Sequence, residues 1–394
     1  MFKGNRTLLI IALIAVVNAL GYGIIIPIIY VYSKRYGLNV FENGLLFTMY
    51  SLFQFISAPF IGRFSDKFGR KPALTISIFG TAISFITMAF APNYFFIFLA
   101  RAIDGITAGN LPVASAVISD TTQIKDRAKG FGIIGAAFGF GFFFGSAVSA
   151  LTYGIDPRLP FIIAAAISLL ATFLTFIFLP ETNKHIGQVA HKKLFDFKAL
   201  VFALFDKNVG LTLLISLIYA IFFSIYITTF QPYATNVLGF SPIFISEYFT
   251  GIGLMGIITQ VFLIGRLSKK FGPRKLFSFS FLAVSIIFTI IFSFKVSLVF
   301  IIFGLSYGIF NSFLNPLIQT ILSSETDEKS QGSIQGLNSS YMSVGQIIGP
   351  IIGGFLATIS MESPFILAAF LALVCFVISL KISKPHVEIH AFKN

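Results

Sequence analysis

Twelve apolar stretches follow one another along the chain, near residues 8–31, 43–62, 73–91, 95–119, 129–151, 160–179, 209–231, 243–265, 276–294, 297–322, 334–358 and 364–380. Only short polar connections separate most of them. A segment of about 20 residues held in lipid must satisfy its own backbone N–H and C=O groups, and an α-helix does so within one segment. The expectation is therefore an all-α integral membrane protein with twelve transmembrane helices. The chain is 56% hydrophobic and 11% charged. Water-soluble domains carry about 25% charged residues, which excludes a soluble globule. The first apolar run, LLIIALIAVVNALGYGIIIPIIYV, follows MFKGNRT and outlasts a signal-peptide core, so it reads as a retained first span.

Chemistry based on metals or disulfides has little to build on. Cys375 is the single cysteine, which rules out a disulfide within the chain and a cysteine metal site. His185, His191, His386 and His390 all fall in polar connections or the tail. No metal and no cofactor is expected.

The formal net charge of +13 acquires meaning from where the charges sit. With the N-terminus inside, the inner connections carry 23 Lys and Arg and the outer ones four, namely Lys34, Arg35, Arg158 and Lys295. That bias is the positive-inside pattern, and it places both termini in the cytoplasm of a plasma (inner) membrane protein. The basic balance is topology rather than a nucleic-acid surface.

The longest polar connection, 180–210, divides the chain into two sets of six spans. The expected organisation is a six-helix bundle over 1–180, a cytoplasmic linker over 181–208, and a second bundle over 209–394 with a short tail. Internal echoes support the cut. GRFSDKFGRK at 62–71 returns as GRLSKKFGPR at 265–274, an offset of 203. Gly132, Gly141 and Gly145 return at offset 204 as Gly336, Gly345 and Gly349, and Pro112 returns as Pro316. Parallel repeats of this kind occur in transporters, with the solute site between the halves near the midplane.

With these residues in view, the chain resembles the major facilitator superfamily. The connection between spans two and three is similar to its signature G-x-L-a-D-r-x-G-r-k at Gly62, Asp66, Gly69, Arg70 and Lys71, with Phe64 for the usual leucine. Arg101-Ala-Ile-Asp104-Gly105 resembles the family's R-x-x-q-G motif, with Asp104 where glutamine is commoner. Asp120 to Arg127 and the glycine-rich fifth span look like the drug–proton antiporter branch, to which tetracycline and multidrug efflux proteins belong. The antiporter signature G-x8-G-x3-G-P-x2-G-G is incomplete in span five, where Ser146, Ser149 and Ala150 replace its last members. It is complete in span eleven, at Gly336, Gly345, Gly349, Pro350, Gly353 and Gly354. The resemblance implies a cytoplasmic gate in which Asp66 latches the two halves, with Asp120 and Arg127 completing its network. The equivalent position in the second half is Lys269, which keeps the topological charge and lacks the latch. The resemblance also implies a monomer.

A charge at the centre of a span costs at least about 2.5–3.5 kcal/mol, so its presence points to function. Arg101 and Asp104 are the two charged residues well inside a span, and three residues apart they share a helix face. Two readings are open. In one, Asp104 takes up and releases a proton under the control of Arg101. Loss of water favours the neutral acid and a neighbouring cation favours the carboxylate. In the other, the two form a static ion pair that joins helices.

Uncharged polar side chains in the spans give a set of candidate substrate contacts: Asn18, Tyr22, Gln54, Asn110, Tyr219, Tyr226, Asn311, Asn315, Asn338 and Tyr341. The pairs Asn311/Asn315 and Asn338/Tyr341 stand at helical spacing and can present one face each to a cavity. Any one of them can equally be interhelical hydrogen-bonding glue. Gly132, Gly141, Gly145, Gly345, Gly349 and Pro350 read as close-packing and hinge positions rather than ligand contacts. Gly251-Ile-Gly253-Leu-Met-Gly256 matches a nucleotide fingerprint by accident, since it lies in an apolar span with no strand before it.

The leading functional expectation is a secondary active transporter that exchanges protons for a lipophilic or amphipathic small molecule moving outward. An uptake symporter or facilitator for a small nutrient is the alternative within transport. A non-transporting receptor or a membrane enzyme is the distant one, since no nucleophile–base pair, paired catalytic carboxylates or phosphate loop is visible.

Overall fold

A computed structural model of the chain describes residues 2–121, 127–183, 186–187, 197–326 and 330–382. Among these residues the regular structure is all helix, joined by turns and irregular connections, with no strand. The first helices are α1 (Phe2–Lys34), α2 (Val40–Phe68), α3 (Arg70–Ala89), α4 (Tyr94–Thr107), α5 (Leu111–Thr121), α6 (Arg127–Thr152) and α7 (Leu159–Phe178). A short helix α8 (Phe197–Ala203) precedes α9 (Gly210–Asn236) and α10 (Pro242–Ile258). A π-helical turn, Thr259–Leu263, leads into α11 (Ile264–Phe271). The remaining helices are α12 (Pro273–Ser293), α13 (Ser297–Glu325), α14 (Gln331–Ile359) and α15 (Ser363–Ser379). Among the described residues ten stretches are long and apolar enough to cross a membrane, and two shorter apolar helices, Gly139–Thr152 and Ser363–Ser379, stand at the fifth and twelfth expected spans. The twelve-span expectation therefore holds.

Helix ends follow local chemistry. Asn39 caps α2 by accepting from the Glu42 N–H at 3.0 Å, while Glu42 accepts from the Asn39 N–H at 2.8 Å, a reciprocal capping box. The turns from α2 to α3 and from α11 to α12 are built alike, on Gly69 at φ +109° and Gly272 at φ +82°. L-residues avoid that region, so the echo seen in sequence is an echo of backbone shape. Gly62, the first glycine of the signature, takes no part in the reversal: it lies inside α2 with open space where a Cβ would point.

Span four also departs from its expected form. It is two helices, α4 and α5, separated at Ala108–Asn110. Pro112 has no N–H to give the carbonyl four residues back, which is that of Ala108. Hydropathy alone shows only a continuous apolar run.

By internal packing the chain divides into one unit of residues 1–195 and 240–253 and another of 196–239 and 254–394. In the first unit α1 packs chiefly on α6, α2 on α4, and α3 on α7 and α4. In the second, α9 packs on α14 and α15, and α12 on α15 and α13. The α1–α6 seam of one unit is matched by the α9–α14 seam of the other. Lipid supplies no hydrophobic drive between helices, so close backbone approach has to do so. A Cβ on Gly145 would run into the Leu20 carbonyl, and one on Gly349 would come within 2.6 Å of the Ile221 carbonyl. Large apolar side chains such as Phe79, Phe173, Phe279 and Phe370 point outward, as a lipid-facing surface requires.

Candidate functional site

The break in span four organises the polar interior of the first unit. Gln54 on α2 donates to the Ala108 carbonyl at 3.3 Å and to the Tyr50 hydroxyl at 3.2 Å. Asn110, fully buried, accepts from the Asn18 side chain of α1 at 3.0 Å. Four of the expected contacts are thus drawn to one place: Asn18, Tyr22, Gln54 and Asn110. The Tyr22 ring meets Tyr50 edge-on, with centroids 5.3 Å apart.

Asp104 and Arg101 lie about one and two helical turns before the break and are buried, at 7% and 2% exposure. Arg101 Nη1 sits 3.0 Å from Asp104 Oδ2, and its Nε donates to the Leu46 carbonyl at 3.4 Å. The guanidinium also lies over the Tyr50 ring, 4.4 Å from its centroid. Pairing and the π-face together offset the cost of withdrawing both charges from water. A cavity adjoins the pair, lined by Asn18, Tyr22, Ile25, Tyr50, Thr81, Arg101, Asp104 and Ala108. Its free space is about 10 Å³, enough for the centre of about one water molecule. The arrangement can hold one ionisable carboxyl beside a fixed cation and admit a water molecule to it.

At the end of the first unit that carries its basic turn, Arg70 is the hub. Its Nη1 lies 2.6 Å from Asp66 Oδ1 and 2.7 Å from Ser65 Oγ, and its Nε lies 3.4 Å from Asp120 Oδ2. Glu181, just beyond α7, accepts the backbone N–H groups of Arg70 at 2.9 Å and Lys71 at 3.1 Å. It therefore caps α3, whose first N–H groups have no helical partner. Asn183 donates to the Asp66 carbonyl at 3.2 Å. Arg127 begins α6, but its side chain and that of every residue at 122–136 lie outside the described residues.

In the second unit, Asn311 accepts from the hydroxyls of Tyr219 and Tyr307, each at 3.2 Å. Tyr226 is buried in an aromatic stack, its ring centroid 4.4 Å from that of Tyr307. Asn315 does not join Asn311; it is exposed and accepts from Gln319 at 3.5 Å. The Tyr341 hydroxyl donates to the Leu200 carbonyl of α8, while Asn338 is buried.

With the helices and the polar interior described, kinship can be read. The sequence profile of the Major Facilitator Superfamily matches residues 11–260 and 212–393. The chain belongs to that superfamily. It is 29% identical over 355 residues to the tetracycline resistance protein, class B, of Escherichia coli, covering 88% of each chain. It is 28% identical over 379 residues to the quinolone resistance protein NorA of Staphylococcus aureus (strain MSSA476), covering 93% of this chain and 94% of that one. In fold it is similar to a bacterial homolog of the human lysosomal transporter Spinster, with a TM-score of 0.80 at 17% identity over 98% of this chain and 99% of that one. The human organic anion transporter MFSD10 (TETRAN) superposes with a TM-score of 0.73 at 19% identity, over 95% of this chain and 99% of that one. This superfamily member is a multi-pass membrane transporter, not an enzyme.

Membership makes the serines of span five informative. Pro27 leaves the Gly23 carbonyl of α1 without its helical donor. Ser146 Oγ donates to that carbonyl at 3.1 Å, and Ser149 Oγ donates to the neighbouring Ile24 carbonyl at 3.2 Å. Interhelical bonds of this kind contribute on the order of 0.6 kcal/mol each. Ser146, at the signature's proline position, thus supplies the donor that the facing helix lacks, and Ser149, at a glycine position, adds a second bond beside it.

Two residues that shape these polar networks of the transporter escape a sequence reading. Tyr50 forms a wall of the cavity and the platform under Arg101, and its spacing of four from Gln54 was the available signal. Glu181 follows Pro180 in a polar connection and has no local signal, because its partners lie 110 and 111 residues away.

Proposed function

We propose that the chain is a proton-coupled antiporter that exports a lipophilic or amphipathic small molecule by alternating access. One observation carries this reading: a carboxyl and a guanidinium, 3.0 Å apart and buried within a span, border a cavity lined by Tyr22, Tyr50 and Asn18. Asp104 is the proton carrier, and Arg101 tunes it by favouring the carboxylate. When water reaches the pair from outside, Asp104 takes a proton; when access reverses, it loses that proton inward. The pair compensates its own charge, which favours a neutral or singly charged lipophilic solute over a multiply charged one. The tetracycline and quinolone resistance relatives support this direction of transport.

The same reading assigns the remaining residues. Asn18, Tyr22, Gln54 and Asn110 from the first unit, and Tyr219, Tyr226, Asn311, Asn315, Asn338 and Tyr341 from the second, supply the polar contacts of the solute pathway. Gly62, Asp66, Gly69, Arg70, Lys71, Asp120 and Arg127 form the gate at the basic end. The distribution of Lys and Arg supports cytoplasmic termini in a bacterial inner membrane, and each six-span half acts as one body in a monomer.

Everted vesicles with ethidium as the transported probe test the proposal. Asp104→Asn is expected to abolish ethidium accumulation driven by an imposed pH gradient, while Asp104→Glu retains part of it. Undiminished accumulation in the Asn variant overturns the proton assignment.

A further inference from the structure

The outer connections carry four Lys and Arg, and two of these have a partner. Lys295 has Glu362 at 2.6 Å, and Lys34 lies over the Tyr30 ring, 5.8 Å from its centroid. Arg35, just beyond α1, and Arg158, just before α7, have neither an acid nor a ring among the described residues. Asp156, the nearest acid in sequence to Arg158, is occupied with that residue's backbone N–H, which it accepts at 2.8 Å. A base on this side runs against the distribution that sets topology, so its presence calls for a local reason.

Helix packing brings the two guanidiniums together. Tyr32 in the last turn of α1 meets Phe161 in the first turn of α7 edge-on, with ring centroids 4.7 Å apart. Arg35 stands three residues after that tyrosine, and Arg158 three residues before that phenylalanine. The charges of both reach the Tyr32 hydroxyl, and that of Arg35 also reaches Tyr153. In the same turn as Arg158, Ile155 is 77% exposed, and Leu151 at the end of α6 is 75% exposed. Two cations thus border a strip of apolar surface.

The second unit supplies an internal control. Tyr233 of α9 meets Phe365 of α15 in the same way, with centroids 4.9 Å apart and the rings at 65° against 64° in the first unit. The residue three beyond Tyr233 is Asn236, and the residue three before Phe365 is Glu362. Leu151 and Ile155 return at offset 204 as Phe355 and Ile359, which are also exposed. The aromatic joint and the apolar strip are therefore shared, whereas the paired guanidiniums stand only at the joint of the first unit. The joint closes without them, so they serve something else.

We propose that Arg35 and Arg158 hold the phosphate of an anionic glycerophospholipid, with its acyl chains along Leu151 and Ile155. In the orientation proposed above this is a lipid of the outer leaflet. Guanidinium groups bind phosphate oxygens through paired N–H donors, and cations beside an apolar strip match a lipid's own layout of head group and chains. A zwitterionic head group carries its own cation next to the phosphate, so the pair selects an anionic one. No role in the proton step is assigned to this site.

The chain has no tryptophan, so one substitution places a fluorescent reporter in the full-length protein. Ile155→Trp reports on the site, and Ile359→Trp on its counterpart in the second unit. Each is reconstituted in phosphatidylcholine vesicles that contain brominated phosphatidylglycerol or brominated phosphatidylcholine at equal mole fraction, since bromine quenches a tryptophan that it touches. Brominated phosphatidylglycerol is expected to quench Ile155→Trp at least about twofold more than brominated phosphatidylcholine, and to show no such excess at Ile359→Trp. Arg35→Gln with Arg158→Gln is expected to remove the excess while quenching by brominated phosphatidylcholine persists, which shows that the reporter still meets lipid. Equal quenching of Ile155→Trp by the two lipids overturns the proposal, and a response of that tryptophan to inorganic phosphate would then give the pair to a soluble anion. An excess that survives the double substitution, or that is as large at Ile359→Trp, is general attraction of anionic lipid to a basic protein and overturns it as well.

Discussion

The Gln54 side-chain amide donates to the Ala108 carbonyl at 3.3 Å, the carbonyl that Pro112 leaves without a helical donor. The break in span four is thereby stable in a membrane, where an unsatisfied backbone carbonyl costs several kcal/mol. Replacing Gln54 with Leu removes the donor at nearly constant volume. The expected loss is about 1 kcal/mol of stability, read as a lower melting temperature in detergent, with a several-fold fall in ethidium transport. A melting temperature and a transport rate equal to those of the parent would show that the break does not depend on Gln54.

Arg101 combines an ion pair, a carbonyl contact and a π-face, and only the charge survives in lysine. The flat fork cannot be replaced by a point charge. Arg101→Lys is accordingly expected to cut pH-driven transport about tenfold or more, with protein yield and monodispersity maintained. Retained transport would mean that charge alone suffices at this position.

Glycine positions separate by what surrounds them. Gly145→Ala forces a methyl group into the Leu20 carbonyl, and overpacking of that kind costs about 1–3 kcal/mol. Gly62→Ala meets open space and is expected to leave the melting temperature unchanged or slightly raised. Thermal unfolding of the two variants side by side is the check, and equal effects would contradict the packing described for the α1–α6 seam.

The connection between α14 and α15 carries a pH-sensitive contact away from the spans. Lys295 Nζ lies 2.6 Å from Glu362 Oε1, and this bond, helped by Ser360, holds the Glu362 carboxyl below its usual range. A carboxyl lowered in the folded protein adds stability above its unfolded pKa of about 4.3, and the gain is lost as pH falls through the lower folded value. Lys295 is 63% exposed, so solvent screening limits the gain to under about 1 kcal/mol. Melting curves between pH 7 and pH 3 should therefore show a small extra loss at the acid end that Glu362→Gln removes. An identical pH profile in that variant would sink the assignment.

What the sequence discloses here follows from which forces act locally. The twelve spans are legible because lipid demands a helix for each apolar run, and Arg101 with Asp104 is legible because charge inside a span is costly. The break at Ala108–Asn110 is hidden because hydropathy does not register which carbonyl a proline orphans. Asn311 and Asn315 share a spacing but not a neighbourhood: the tyrosines of α9 and α13 take the first, and the second turns to Gln319.

The hold of Glu181 on the amides of Arg70 and Lys71 has a mechanical meaning. Together with Asn183 on the carbonyl of Asp66, it clasps the chain beyond α7 to both sides of the α2–α3 turn. A displacement of any of these three helices at that end is delivered to the other two. The first unit therefore has fewer hinges than helices, and a load applied at one rod is carried as if by a single lever.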